Sequence, residues 1–162
     1  MAILNPSPAI LCLDLATNTG FAYGRPGEKP RIGSIRLGSG THGSIGAGLD
    51  DWLWDFNGIG TVEGLVVEAH IPQHKGQAAA QIAIGLLMVC ETFAYRSDIP
   101  LKVCAPTSVR ARVVGNGRAQ KPEVVAWCKA QGWDAPDHDA ADAAALWVLA
   151  CRVATGKDTY GK

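Results

Sequence analysis

The chain has 162 residues, 48% of them apolar, with 15 basic and 15 acidic side chains and a formal net charge of zero. That length suits one domain with a real core, about residues 9–155, and the balanced charge lacks the basic excess usual in nucleic-acid binders. No apolar run approaches the roughly 18 residues of a membrane span, and the N-terminus MAILNPSPAI has neither a basic region nor a cleavable apolar stretch. Five scattered cysteines (Cys12, Cys90, Cys104, Cys128, Cys151) form no CxxC or Cys/His cluster. A zinc site, a disulfide framework and secretion are therefore not expected, and the thiols read as small core residues of a cytoplasmic protein.

Met1–Ala9 is a Pro-containing lead-in. Strands follow at about 10–15, 20–25 and 31–37, with a tight turn at Ala16–Gly20 and the Pro/Gly loop Arg25–Pro30 between them, so an antiparallel meander is expected. Residues 38–48, GSGTHGSIGAG, read as a flexible loop, and a helix follows over about 44–57. Gly64–Glu68 is a short strand, and after the irregular Ala69–Gly76 a helix spans about 77–96. Ile82, Leu86, Val89 and Phe93 give this helix one apolar face, and alanines and leucines extend it nearly all round, which predicts burial by the core and by a second subunit. Leu101–Ala105 is a strand, and Pro106 opens a helix. Val113–Val124, VVGNGRAQKPEV, reads as a Gly-rich basic loop, and helices are expected over Glu123–Gln131 and Pro136–Ala154. Trp52, Trp54, Trp127, Trp133 and Trp147 stand among apolar neighbours and read as core.

Two of these strands end in carboxylates, Asp14 and Glu68, each after a buried-looking apolar run where an unpaired charge is costly. The last helix opens with Asp137-His138-Asp139-Ala140-Ala141-Asp142. Asp139 and Asp142 are three apart and share one face, while Leu146, Trp147, Leu149 and Ala150 pack against the sheet. That packing aims the helix acids at the strand ends. Four carboxylates in one place repel unless divalent cations neutralise them, and all-oxygen ligands suit Mg²⁺ or Mn²⁺. Two ions about 4 Å apart would stabilise the attacking and leaving oxygens of a phosphodiester displacement. Taken singly, each acid has a plainer reading as a turn residue or a helix cap; the conjunction is what points to a site.

Asp14 before Thr19-Gly20-Phe21, Glu68 after Leu65-Val66-Val67, the segment VVGNGRAQKPEV, and Asp139-Ala-Ala-Asp142 together resemble the RuvC Holliday-junction resolvases, over about Ile10–Ala150. The resemblance implies an α/β, RNase H-like fold: a mixed five-stranded sheet, three antiparallel strands then parallel ones, flanked by helices. It implies a homodimeric, metal-dependent endodeoxyribonuclease that makes paired symmetric nicks in four-way DNA, using two Mg²⁺ or Mn²⁺ ions and leaving 5′-phosphate and 3′-hydroxyl ends. Asp14, Glu68, Asp139 and Asp142 match the family's metal-binding acids, and Lys121 matches a catalytic lysine. Arg110 falls where another basic residue is usual. The family often has an aromatic after the glutamate; here the stretch is Ala69-His70-Ile71, so a wedge against DNA would be the aliphatic Ile71. Compact, divergent chains of this kind resemble phage-type members, which sets the bacterial or phage-infected cytosol as the expected location.

The neutral net charge hides a basic band: Lys102, Arg110, Arg112, Arg118, Lys121 and Lys129 face a single acid, Glu123, between Leu101 and Gln131. Arg110, Arg112, Arg118 and Lys121, with His74 and Lys75 of the loop after Glu68, are the candidate phosphate contacts, which would read junction shape rather than sequence. Two rival readings share the fold or the partner: a nuclease acting on structured RNA, and a catalytically silent junction-binding protein. An actin-like kinase or ATPase, suggested by DLATNTG, would need a second domain for which the chain has no room.

Overall fold

A computed structural model of the protein describes residues 7–68 and 76–160. Its five strands are β1 (Ile10–Asp14), β2 (Asn18–Gly24), β3 (Arg31–Arg36), β4 (Gly64–Glu68) and β5 (Leu101–Cys104). They form one sheet in the order β3-β2-β1-β4-β5. β1, β2 and β3 pair antiparallel, and β4 and β5 join them in parallel, as expected. The parallel connections carry helices, which a crossover between parallel strands requires: α1 (His42–Ile59) precedes β4, and α2 (Gln77–Ser97) links β4 to β5.

Strand alternation divides the core in two. Leu11, Leu13, Leu65 and Val67 point to the face covered by α1 and α2. Ile10, Cys12 and Val66 point the other way, under α5 (His138–Ala154) and α4 (Lys121–Ala130). Asp14 and Glu68 continue this second set at the two-residue period, so both carboxylates face α5. α5 lies low on the sheet because its inward side is built from Ala140, Ala141, Ala143, Ala144 and Ala145, all buried.

Several expectations are corrected here. α1 begins inside the glycine-rich stretch, because Thr41 accepts a hydrogen bond from the Ser44 N–H, and Ile45, Leu49, Leu53 and Phe56 bury one stripe of the helix. The stripe outweighs the poor helix propensity of its glycines. β2 begins at Asn18, so Asn18-Thr19-Gly20 belong to a strand rather than a turn. The loop after β5 holds a short helix, α3 (Pro106–Val109), and a π turn (Arg110–Val114). Lys121 is the first residue of α4, not a loop residue, since Gln120 and Glu123 form a capping box there. Of the tryptophans, only Trp147 is buried; Trp52, Trp127 and Trp133 are half-buried and Trp54 is exposed. The other four are large enough to cover core neighbours from its rim, as Trp54 does by packing on Phe93.

α2 buries only Leu86, Cys90, Phe93 and Ala94, and leaves Ile84, Met88 and Tyr95 exposed. Among the described residues it is also the one helix long and apolar enough to cross a membrane, which corrects the expectation that no stretch reaches that length. Gln81 and Glu91 interrupt the run in sequence without much lowering its average. The buried face of α2 is spent on the sheet and α1.

Candidate nuclease site

The site starts from strand register. Asp14 pairs with Glu68 on one side and with Gly20 on the other, so Gly20, Asp14 and Glu68 form a row across three strands. Gly20 leaves the space that the first turn of α5 fills: a Cβ there would lie 1.9 Å from the Asp139 carbonyl oxygen and 2.7 Å from the Ala140 nitrogen. The missing side chain therefore seats the start of α5 beside Asp14. Asp137 caps the helix, accepting from the Ala140 N–H at 2.9 Å, and Asp139 and Asp142 follow within its first two turns.

This crowding of buried acids raises their pKa values. Burial, then the charges of Asp142 and Asp139, push the Asp14 carboxyl up to about 8, against the opposing pull of Arg110 and Lys121. Burial raises Glu68 as well, helped by Asp14 and Asp142 and opposed by Arg110. Asp142 is raised by burial, with Arg110 working against it. Asp137 differs: burial opposes its ionisation, but hydrogen bonds from Ser34, the Ala140 N–H and Asn18, together with His138, hold it below the usual range.

These shifts fix a sign. A carboxyl raised in the folded state binds more protons there than in the unfolded chain, so stability falls as pH rises through the interval between the two pKa values. For Asp14 that interval runs from 3.8 to about 8. Denaturant titrations of the metal-free protein should show a higher midpoint at pH 5 than at pH 8. An unchanged or rising midpoint would contradict the repulsive cluster.

Arg110 sits inside this arrangement. Its Nη2 lies 3.2 Å from both carboxylate oxygens of Asp142, and Nη1 donates to the Ala119 carbonyl at 3.2 Å. Its Nε is buried without a partner. Lys121 Nζ stands 2.9 Å from His138 Nε2, which in turn is 3.1 Å from Asp139 Oδ1. One nitrogen of His138 thus faces both groups and serves one at a time, accepting from Lys121 when unprotonated and donating to Asp139 when protonated, and α4 delivers Lys121 to the same edge.

Among the described residues, no three His, Cys, Asp or Glu side chains converge tightly enough to hold a metal ion; Arg110 supplies the positive charge at Asp142. The donor chemistry nonetheless fits a hard divalent cation: the acids offer only oxygens, and burial and mutual repulsion leave them short of positive charge.

No family model matches the chain. Among curated proteins, the crossover junction endodeoxyribonuclease RuvC of Streptomyces griseus is 30% identical over 157 residues, covering 91% of this chain and 74% of the relative. The chain belongs to the RuvC family. RuvC of Streptomyces avermitilis is likewise 30% identical over 158 residues, 91% of this chain and 85% of its own. The fold agrees with solved structures. Thermus thermophilus RuvC superposes with a TM-score of 0.72 at 17% identity, covering 92% of this chain and 97% of that one. Its complex with a Holliday junction substrate gives 0.74 at 17% identity, covering 93% and 97%. The yeast mitochondrial Holliday junction resolvase gives 0.61 at 15% identity, covering 94% and 78%. The RNase H-like architecture expected from the family resemblance is thereby found.

In this RuvC-family chain, Asp14, Glu68, Asp139, Asp142 and Lys121 are brought to one end of the sheet. Ile71, His74 and Lys75 lie outside the described residues. The basic band is divided. Arg110 is engaged with Asp142, and Arg112 with Asp158 at 2.6 Å, while Arg152 donates to the Arg112 carbonyl. Arg118 is exposed and makes no ion pair among the described residues. Lys102 lies 5.8 Å from the Tyr160 ring centre. Phosphate contact by Arg110 or Arg112 would require exchanging these partners, which leaves Arg118 and Lys121 as the freer cations. Sequence reasoning missed Asn18 and Ser34, which hold the α5 acids, because both fell in stretches read as turn or plain strand.

Proposed function

We propose that the chain is a Holliday junction resolvase that makes paired nicks in four-way DNA, with Asp14, Glu68, Asp139 and Asp142 as the ligands of two Mg²⁺ or Mn²⁺ ions. The observation that carries this reading is the pairing of Asp14 with Glu68 across β1 and β4, near enough to Asp142 and Asp139 of α5 for their charges to raise the Asp14 carboxyl, in a chain of the RuvC family. When bound, such ions supply an activated water and charge stabilisation at the departing 3′-oxygen. The protein's own part is positional: the two strands fix Asp14 and Glu68 side by side, and α5 presents Asp139 and Asp142 above them. Lys121, held at the rim by α4, offsets charge on the scissile phosphate. Arg110 neutralises Asp142 until a cation takes that role. Arg118, with Ile71, His74 and Lys75, contacts the DNA backbone and the opened base step, and Arg112 joins them on leaving Asp158. The chain acts as one nuclease domain in the cytosol of a bacterium or of a phage-infected bacterium.

Incubating the protein with Mg²⁺ and either a synthetic four-way DNA junction or structured RNA tests this reading. Symmetric, ligatable nicks in the junction are expected. An intact junction beside cleaved RNA would indicate an RNA-processing nuclease, and binding without cleavage a silent junction binder.

Paired nicks need two sites, and the exposed Ile84, Met88 and Tyr95 of α2 supply an apolar stripe for a second copy. Sedimentation should give a dimer, and Met88→Glu a monomer that nicks one strand at a time. Monomeric wild-type protein, even with junction DNA present, would count against this assembly.

A further inference from the structure

We propose that Asn18 is a positioning residue that sets the Asp139 carboxylate for cation binding, an inference that rests on the nuclease reading above. Asn18 opens β2 and stands two residues from Gly20, on the same strand face, beneath the first turn of α5. Its Nδ2 lies 2.6 Å from Asp139 Oδ2 and 3.2 Å from Asp137 Oδ2. Both carboxylates can only accept, so the amide nitrogen, not its oxygen, belongs at this position, and its two N–H groups serve one acid each.

The two acids have different duties. Asp137 is anchored three ways: by the Ala140 N–H at 2.9 Å, by Ser34 Oγ at 2.6 Å from β3, and by Asn18. It is a structural cap. Among the described residues Asp139 has no such anchor; besides Asn18 it meets the half-exposed His138 ring there, through its other oxygen. Asn18 therefore ties the free acid to the fixed one and limits the rotamers Asp139 can sample. Removing a donor that holds a metal-binding carboxylate in place typically weakens metal binding by about 10–100-fold. Asp14 and Glu68 are set by two paired strands, and Asp142 is held by the cation Arg110; Asp139 is the acid held by a neutral amide, which a bound cation would not have to displace.

A purely structural role, pinning α5 to the sheet, makes a different prediction, and Ser34→Ala separates the two. It removes an anchor of Asp137 without touching Asp139. Mn²⁺ binding is measured on the DNA-free full chain by electron paramagnetic resonance, with melting temperature and Mn²⁺-dependent junction cleavage in parallel. Asn18→Ala should weaken Mn²⁺ binding about 10-fold or more, raise the half-saturating Mn²⁺ for cleavage equally, and regain near-normal cleavage at saturating Mn²⁺. Ser34→Ala should lower the melting temperature while leaving Mn²⁺ affinity near wild type. Unchanged Mn²⁺ affinity in Asn18→Ala, an equal loss in Ser34→Ala, or no Mn²⁺ binding by the wild type would each overturn the proposal. Wild-type protein that binds Mn²⁺ but leaves junctions intact would overturn the nuclease reading instead, and Mn²⁺ binding would still judge Asn18.

Discussion

Asp14→Asn should abolish junction cleavage, leave junction binding intact and stabilise the metal-free protein. The substitution keeps the side chain's shape and removes its charge. Cation charge is worth several kcal/mol in the transition state of phosphodiester hydrolysis, so losing a central ligand should slow cleavage by about three powers of ten or more. Junction affinity rests on basic side chains elsewhere and on counterion release, and should stay within about threefold. The stability gain follows from the carboxyl's raised pKa of about 8, caused first by burial and then by Asp142 and Asp139. Near pH 7 the folded state must keep this group protonated, whereas the unfolded chain ionises it freely. Removing that mismatch should stabilise by about 2 kcal/mol or more at pH 7 and flatten the pH dependence between 5 and 8. Single-turnover cleavage, a gel-shift titration in Ca²⁺ and denaturant melts measure the three effects. Normal cleavage by Asp14→Asn would remove the acid cluster from the chemistry.

Gly20→Ala should be the most damaging single methyl group in the protein. Its Cβ would fall 1.9 Å from the Asp139 carbonyl oxygen and 2.2 Å from the carbonyl carbon, both backbone atoms of α5. No rotamer change relieves that contact, so the helix must lift or the strand must bend. Overpacking of this kind costs about 1–3 kcal/mol and occasionally more, and the rigid backbone puts this site at the upper end. The same shift carries Asp139 and Asp142 away from Asp14, and a displacement of about 1 Å can cost about 100-fold in rate. Gly58, near the end of α1, is the control: a Cβ there meets nothing within 4 Å, so Gly58→Ala should stabilise by roughly 0.5–1 kcal/mol without changing cleavage. Cleavage by Gly20→Ala at the wild-type rate would show that the close seating of α5 is unimportant.

The parts of this fold that sequence announces are those where one pattern acts alone. Ile10–Leu13 and Leu65–Val67 are apolar runs closed by carboxylates, and both became strands whose ends pair in register, as Asp14 with Glu68. The alternation that turns both acids toward α5 is a property of any strand, and the apolar side of α5 needed only helical spacing. Competing patterns hid the rest. Asn18-Thr19-Gly20 has turn composition, but pairing with Arg36, Ile35 and Ser34 draws it into β2. Glycines disguised the start of α1, where a threonine cap and a buried stripe decide the matter. Arg110 looked like one more phosphate contact in a basic band. Only the folded chain shows it spanning 32 residues to reach Asp142. Contacts of that range, and the link from Asn18 to Asp139 across 121 residues, leave no local trace, because neither partner's neighbours are unusual for it.

On the proposed reading, these acids together bind the cations that cut DNA. A crystal soaked in Mn²⁺, with anomalous scattering recorded at the manganese edge, addresses it directly. Ions are expected between Asp14, Glu68 and the α5 acids, with Arg110 displaced from Asp142. Manganese bound elsewhere, with Arg110 still paired to Asp142 and no peak beside Asp14, would contradict it.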